Sequence, residues 1–140
     1  MDSGDIDAAV LTRLGSDATL AALMPDGVWF DMAPANARRF VIVSLFDTVD
    51  VPVFGGRAIE EALYAVRAVG VASASPNMKA AALRIDELLA DTSYPVAGFS
   101  FMASYRDEPG RIRRTEVDQL DASIVWYHRG AHYRVEVARQ

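Results

Sequence analysis

The sequence contains no cysteine. That absence excludes disulfides, thiolate nucleophiles and Cys-ligated zinc together, and it fits a reducing compartment. Lysine is nearly missing too: among the 14 basic residues Lys79 is the only one. Arginine and alanine richness together read as the imprint of a GC-rich genome rather than a demand for guanidinium chemistry. No apolar run approaches the ~20 residues a membrane helix needs, so no transmembrane span is expected. The N-terminus, Met1-Asp2-Ser3-Gly4-Asp5, is acidic where a secretory signal is basic, and no apolar stretch follows it. The protein is therefore expected to stay in the compartment where it is made. Positive charge is in deficit: 19 acids against 14 bases give a net charge of −5 and a pI near 4.9. Gripping nucleic acid calls for clustered cations against phosphate, so such a balance argues against a nucleic-acid binder. It is compatible with the wall of a conduit along which DNA slides.

What is present is an ordinary globular composition. The 140 residues, 51% hydrophobic and 24% charged, are enough for one domain (1–140) with a real core. Charge is uneven along the chain. Up to Glu61 there are 10 acids and 4 bases, a net of −6; from Ala62 onward there are 9 acids and 10 bases, a net of +1. Subunits packing head-to-tail use such polarity; an uneven surface without consequence is the plainer reading.

Ile6, Ala9, Val10 and Leu14 recur at helical spacing and end at Gly15. Asp17 is placed to cap a second short helix, Ala18 to Met24, stopped by Pro25 and the Asp26-Gly27 turn. Val28–Asp31 reads as a short strand and Phe40–Phe46 as a buried one. Asp47–Arg57 reads as a loop, and Glu60–Ala74 as a long strand with Gly70 as a bend. Ser75-Pro76 opens the main helix, whose stripe is Met78, Ala81, Ala82, Ile85, Leu88 and Leu89. Phe99–Arg106 alternates as a half-buried strand, and Pro109-Gly110 predicts a turn. A strand is expected over Thr115–His128 with Leu120 inward, then a hairpin turn at Arg129-Gly130 and a last strand through Val137. The resulting class is α+β: a mostly antiparallel sheet, one main packed helix and two short N-terminal helices. Strands this long on so short a chain leave open edges, which argues for a self-assembling subunit.

The search for chemistry comes back empty. Phe54-Gly55-Gly56-Arg57 lacks the Lys-Ser/Thr pair of a phosphate loop and precedes a strand instead of a helix. His128 and His132 flank the expected hairpin turn, where the plain reading is two exposed histidines, since a metal site needs three or four preorganised ligands. No serine stands in a nucleophile-elbow context, and neighbouring carboxylates such as Glu60-Glu61 and Asp107-Glu108 point to opposite faces of a strand. No enzyme, metal or cofactor is expected. The Arg-rich segment Arg106 to Arg114, with Arg111, Arg113 and Arg114, reads as a projecting hairpin, either a protein-docking arm or a solvated tip.

The order and spacing of these pieces resemble the tail-completion (tail terminator, or tail-to-head joining) family of long-tailed phages and gene-transfer particles. The resemblance covers nearly the whole chain. It runs from the two helices leading into Pro25-Asp26-Gly27-Val28, through Phe40–Leu45 and Phe54-Gly55-Gly56-Arg57, to Glu61, Tyr64 and Val66, then Leu88-Leu89 and the strand ending in Arg106. It implies a ring-forming virion subunit, commonly a hexamer, at the head-proximal end of the tail tube. Such a ring stops tube growth and meets the head connector, and host cytoplasm is where it assembles. The implied partners are further copies of itself, the major tail tube protein and head–tail connector proteins. DNA passes through the lumen without specific binding, and no membrane or cofactor is involved. The candidate docking residues are Phe54, Gly55, Gly56 and Arg57 on one side and Arg106, Arg111, Arg113 and Arg114 on the other. The alternatives are a head-side stopper or adaptor ring, or a small ligand-binding or hydrolytic α+β domain of the cytoplasm.

Overall fold

A computed structural model describes residues 3–53, 56–71 and 75–139, with backbone alone at 3, 51–53, 56–58, 75 and 108–110. The elements run α1 (Ser3–Gly15), α2 (Ala18–Leu23), β1 (Val28–Phe30), β2 (Arg39–Val53), β3 (Gly56–Val71), α3 (Ser75–Leu89), β4 (Phe99–Val117) and β5 (Val125–Arg139). The strands form one sheet in the order β1-β2-β3-β5-β4, antiparallel except for the β1·β2 pair. The α+β expectation therefore holds.

All three helices contribute to a core against one face of the sheet. In α1, Ile6, Val10 and Leu14 are buried at four-residue steps, the spacing that aligns side chains on one helical face. In α3 the buried stripe is Met78, Ala81, Ile85, Leu88 and Leu89. They meet Val41 and Val43 of β2, Ala62, Tyr64, Val66 and Ala68 of β3, and Ala131, Tyr133, Val135 and Val137 of β5. The strand residues alternate as period-two geometry requires. Each large side chain so buried contributes roughly 1.5–3 kcal/mol.

Polar ties fix the helices in register. Asp17 caps α2 by accepting from Leu20 N at 2.9 Å, as its position predicts. Arg84 of α3 reaches the same carboxylate with two bonds, Nε to Oδ2 at 2.9 Å and Nη2 to Oδ1 at 2.6 Å. At the entry to the sheet, Asp26 Oδ2 accepts from Arg38 N and Arg39 N. Those two backbone donors hold its carboxyl below the ordinary carboxylate range. Gly27 beside it has φ +92, a backbone state that favours glycine.

Four local expectations fail, each for a physical reason. Asp47–Val53 is strand rather than loop, because β2 pairs with β3 as far as Val53↔Gly56. The β-branched residues Thr48, Val49, Val51 and Val53 outweigh the Asp and Pro punctuation. Pro109-Gly110 makes no hairpin. β4 runs through it with a register shift: Arg106 pairs with Tyr133 and Arg111 with Ala131, so residues 107–110 face the single residue His132. An edge strand tolerates such an insertion, since a proline there need not interrupt the ladder.

Arg129-Gly130 makes no turn either, and β5 passes straight through it. A Cβ at Gly130 would lie 1.9 Å from Val66 O and 2.6 Å from Arg67 Cα. Glycine is there so that β5 can approach β3, not to reverse the chain. The real reversal is Asp118–Ile124. Asp118 Oδ2 accepts from Leu120 N and Asp121 N at 3.0 Å each, and Asp118 Oδ1 accepts from Trp126 Nε1 at 3.0 Å. Leu120, expected inward, is 99% exposed at that tip.

Candidate assembly surfaces

Two rows of backbone are open to a partner. β1 covers β2 only from Val41 to Val43, so among the described residues no strand pairs the outer edge of β2 from Ser44 to Val53. β4 is the opposite edge of the sheet. Asp91 N bonds Ser104 O on its outer side at 2.7 Å, and no described strand pairs it beyond. Unpaired strand edges are templates for further pairing. The two edges differ in charge. Ser44–Val53 carries Asp47 and Asp50 and no base, a net of −2; Arg111–Val117 carries three Arg and one Glu, a net of +2.

The Arg-rich segment does not project as a hairpin. Strand alternation divides its side chains between the two faces of the sheet. Arg111 and Arg113 lie on the helix side with Arg106. They line a groove of about 280 Å³ together with Lys79, Leu83 and Asp86 of α3 and Arg129 and Tyr133 of β5. Asp86 Oδ1 accepts from Tyr133 Oη at 2.8 Å and pairs with Arg106 Nη1 at 3.4 Å. Burial and that carboxylate push the Tyr133 hydroxyl well above its ordinary range. One acid among five cations leaves the groove electropositive on a protein of net charge −5. Lys79 and Arg129 were not singled out by sequence, because they enter from α3 and β5 far along the chain. Arg111 and Arg113 were legible as a same-face pair from their spacing of two.

Arg114 belongs to the other face. There Arg67 Nε donates to His128 Nδ1 at 3.2 Å, so the imidazole proton sits on Nε2 and is donated to Glu116 Oε1 at 2.7 Å. His128 is buried, not exposed as expected of a hairpin residue. Burial lowers its pKa, Glu116 opposes the shift, and Arg114 and Arg67 add to it. His132 lies four residues on along the same straight strand, roughly 13 Å away at ~3.3 Å per residue. Its ring meets Phe46 edge-on at 5.4 Å. Among the described residues no group of three or more acids and histidines is placed to hold a metal ion. No described helix is long and apolar enough to cross a membrane.

Of the first candidate set, Phe54 and Gly55 lie outside the described residues, while Gly56 and Arg57 begin β3 as backbone. They stand at the turn end of the β2–β3 hairpin, which ends at the Val53↔Gly56 pair. The two candidate sets are thus on different elements, as expected, but the second is split between faces.

No protein-family model and no curated protein matches this sequence. Among solved structures the chain is similar to one described as "Virion of native gene transfer agent (GTA) particle". The TM-score is 0.69 at 21% identity, covering 97% of this chain and 96% of that one. The likeness is one of fold.

Proposed function

We propose that this chain is a structural subunit of a phage-like particle that forms a ring on the head-proximal end of the tail tube, ends tube growth and joins tail to head. The observation that carries this reading is end-to-end likeness in fold to a chain of a gene-transfer virion, 97% of one against 96% of the other. The sequence resemblance to tail-completion proteins points the same way. So do the two long open edges on opposite sides of one sheet, since a subunit with two different sticky sides builds rings or filaments. A net charge of −5 suits a lumen that DNA crosses without binding. In this reading the partners are further copies, with six per ring the family's common number, the tube protein and the head connector. Phe54, Gly55, Gly56 and Arg57 and the Arg106–Arg114 stretch are its docking elements.

The test is removal of the gene from the producing cell and imaging of the particles. Tails of uncontrolled length beside full heads are expected. Tails of normal length beside heads that leak DNA assign the ring to the head side instead. Joined, infectious particles at normal yield overturn the proposal.

A further inference from the structure

The cationic groove lies along an open strand edge, and the two features together define one occupant. On the α3 wall stand Lys79, Ala82, Leu83 and Asp86, spaced i, i+3, i+4 and i+7 and so on one helical face. Across from them stand Arg111 and Arg113 of β4 and Arg129 of β5. Arg113 and Arg129 are direct cross-strand partners, and like charges set opposite each other on one sheet face are unfavourable. Asp86 answers Arg106. Among the described residues no carboxylate forms an ion pair with Lys79, Arg111, Arg113 or Arg129. The groove thus concentrates positive charge that an anionic occupant would neutralise.

The edge says which kind of anion. β4 from Arg111 to Val117 pairs with β5 on its inner side, and no described strand pairs its outer side. Such an edge offers N–H and C=O groups in alternation. A peptide completes that pattern, whereas a phosphodiester chain has no backbone N–H to give. The arginines along the edge repel the same edge of a second copy and so favour a strand of opposite charge. In an added strand every second side chain turns toward the groove, at a repeat of about 6.6 Å. Arg111 and Arg113 present their cations at that same repeat. The intervening side chains would meet Arg114 and Glu116, a row of mixed sign on the other face. The groove therefore selects alternation of acids rather than total negative charge.

We propose that an extended acidic segment of a partner protein adds as a strand to the outer edge of β4 at Arg111–Val117, placing carboxylates from alternate residues against Lys79, Arg111, Arg113 and Arg129. This inference names the partner chemistry of the Arg106–Arg114 docking stretch. It rests on the ring reading for its place in a particle but not for the contact itself.

The test is fluorescence polarisation of the full chain with a short labelled peptide that alternates Asp and Thr. Saturable binding is expected, weaker at high salt. Arg111→Gln with Arg113→Gln should weaken it by about tenfold or more with an unchanged circular dichroism spectrum. The same residues with the acids grouped in one block should bind about tenfold more weakly too. Two N-methylated peptides give a readout that needs no variant, one methylated at every Asp amide and one at every Thr amide. In an added strand only one of these two sets faces β4, so one peptide loses binding and the other keeps it. Equal binding by both overturns strand addition, as does unchanged affinity in the Gln variant. An oligothymidylate of equal charge that binds as tightly as the Asp-Thr peptide overturns the peptide occupant in favour of nucleic acid. No saturable peptide binding overturns the proposal and leaves the ring, which gene removal reads separately. Peptide binding together with normal particles after gene removal upholds the groove and overturns the ring.

Discussion

Gly130 is the residue on which the sheet depends most sharply. Any β-carbon there collides with backbone, 1.9 Å from Val66 O, and backbone cannot rotate away as a side chain can. Forced repacking of this kind costs roughly 1–3 kcal/mol. Gly130→Ala is therefore expected to lower the melting temperature by several degrees, and an unchanged transition would refute the close approach.

The Arg84–Asp17 pair is a second single-residue test. The bidentate bond from Arg84, with help from Leu20 N, lowers the Asp17 pKa from 3.8 to about 2. A depressed carboxylate stabilises the fold above its unfolded pKa and loses that contribution as pH falls through the folded one. The loss here spans roughly pH 4 to 2 and amounts to about 1 kcal/mol, allowing for solvent screening of a partly exposed pair. Asp17→Asn should flatten the acid limb of the stability profile over that interval.

His128 acts at milder pH with the same sign. Its folded pKa lies below the ordinary 6.5 because burial disfavours the imidazolium. The unfolded chain therefore binds the extra proton first, and stability falls as pH drops below 6.5. Protonation also removes the Nδ1 acceptor that Arg67 uses. His128→Gln should remove this slope in urea titrations between neutral and mildly acidic pH.

At the scale of elements, the helices and the core strands were legible and the strand ends were not. α3 could be read because Met78, Ala81, Ile85, Leu88 and Leu89 repeat at helical period behind Pro76. The Asp17 cap could be read from its place before Ala18. Most of the differences share one cause, which is that glycine and proline signal turns in the sequence where the fold uses them inside strands. Gly130 serves a close approach of two strands, and Pro109 lies in a register shift on an edge, functions that need a neighbouring strand to be visible. The true turn carried its own signal in Asp118, Asp121 and Ser123, whose side chains accept from or donate within the loop. The apparent alternation of Leu120, Ala122 and Ile124 hid it. The cationic groove was half legible: Arg111 and Arg113 share a face by spacing, but Lys79 and Arg129 join them only through the fold.

The open strands carry a prediction at this same scale. Amide exchange in Arg111–Val117 should show alternating protection in the free protein, slow where the N–H faces β5 and fast where it faces outward. Outward amides should become slow on assembly. Uniform protection in the free protein would mean that the edge is already covered.

At the scale of the whole molecule, the charge split along the chain becomes a spatial one. The N-terminal part supplies the acidic β2 edge and the C-terminal part the basic β4 edge, and these lie on opposite sides of a five-stranded sheet. The two segments also stand at opposite ends along the strands, Asp50 level with Phe101 and Arg113 level with Val41. Replacing Arg111, Arg113 and Arg114 by Ala together should leave the core untouched, since all three are exposed. Folding and melting should stay near wild type, while the yield of heads joined to tails falls by tenfold or more. The position of Arg114 on the other face, near Arg67, His128 and Glu116, sharpens the test. If the groove-side edge is what matters, Arg114→Ala alone keeps nearly full yield and Arg111→Ala with Arg113→Ala reproduces the triple variant. Equal loss from Arg114→Ala alone would move the contact to the opposite face of the sheet, and normal yield from the triple variant would remove these arginines from particle assembly.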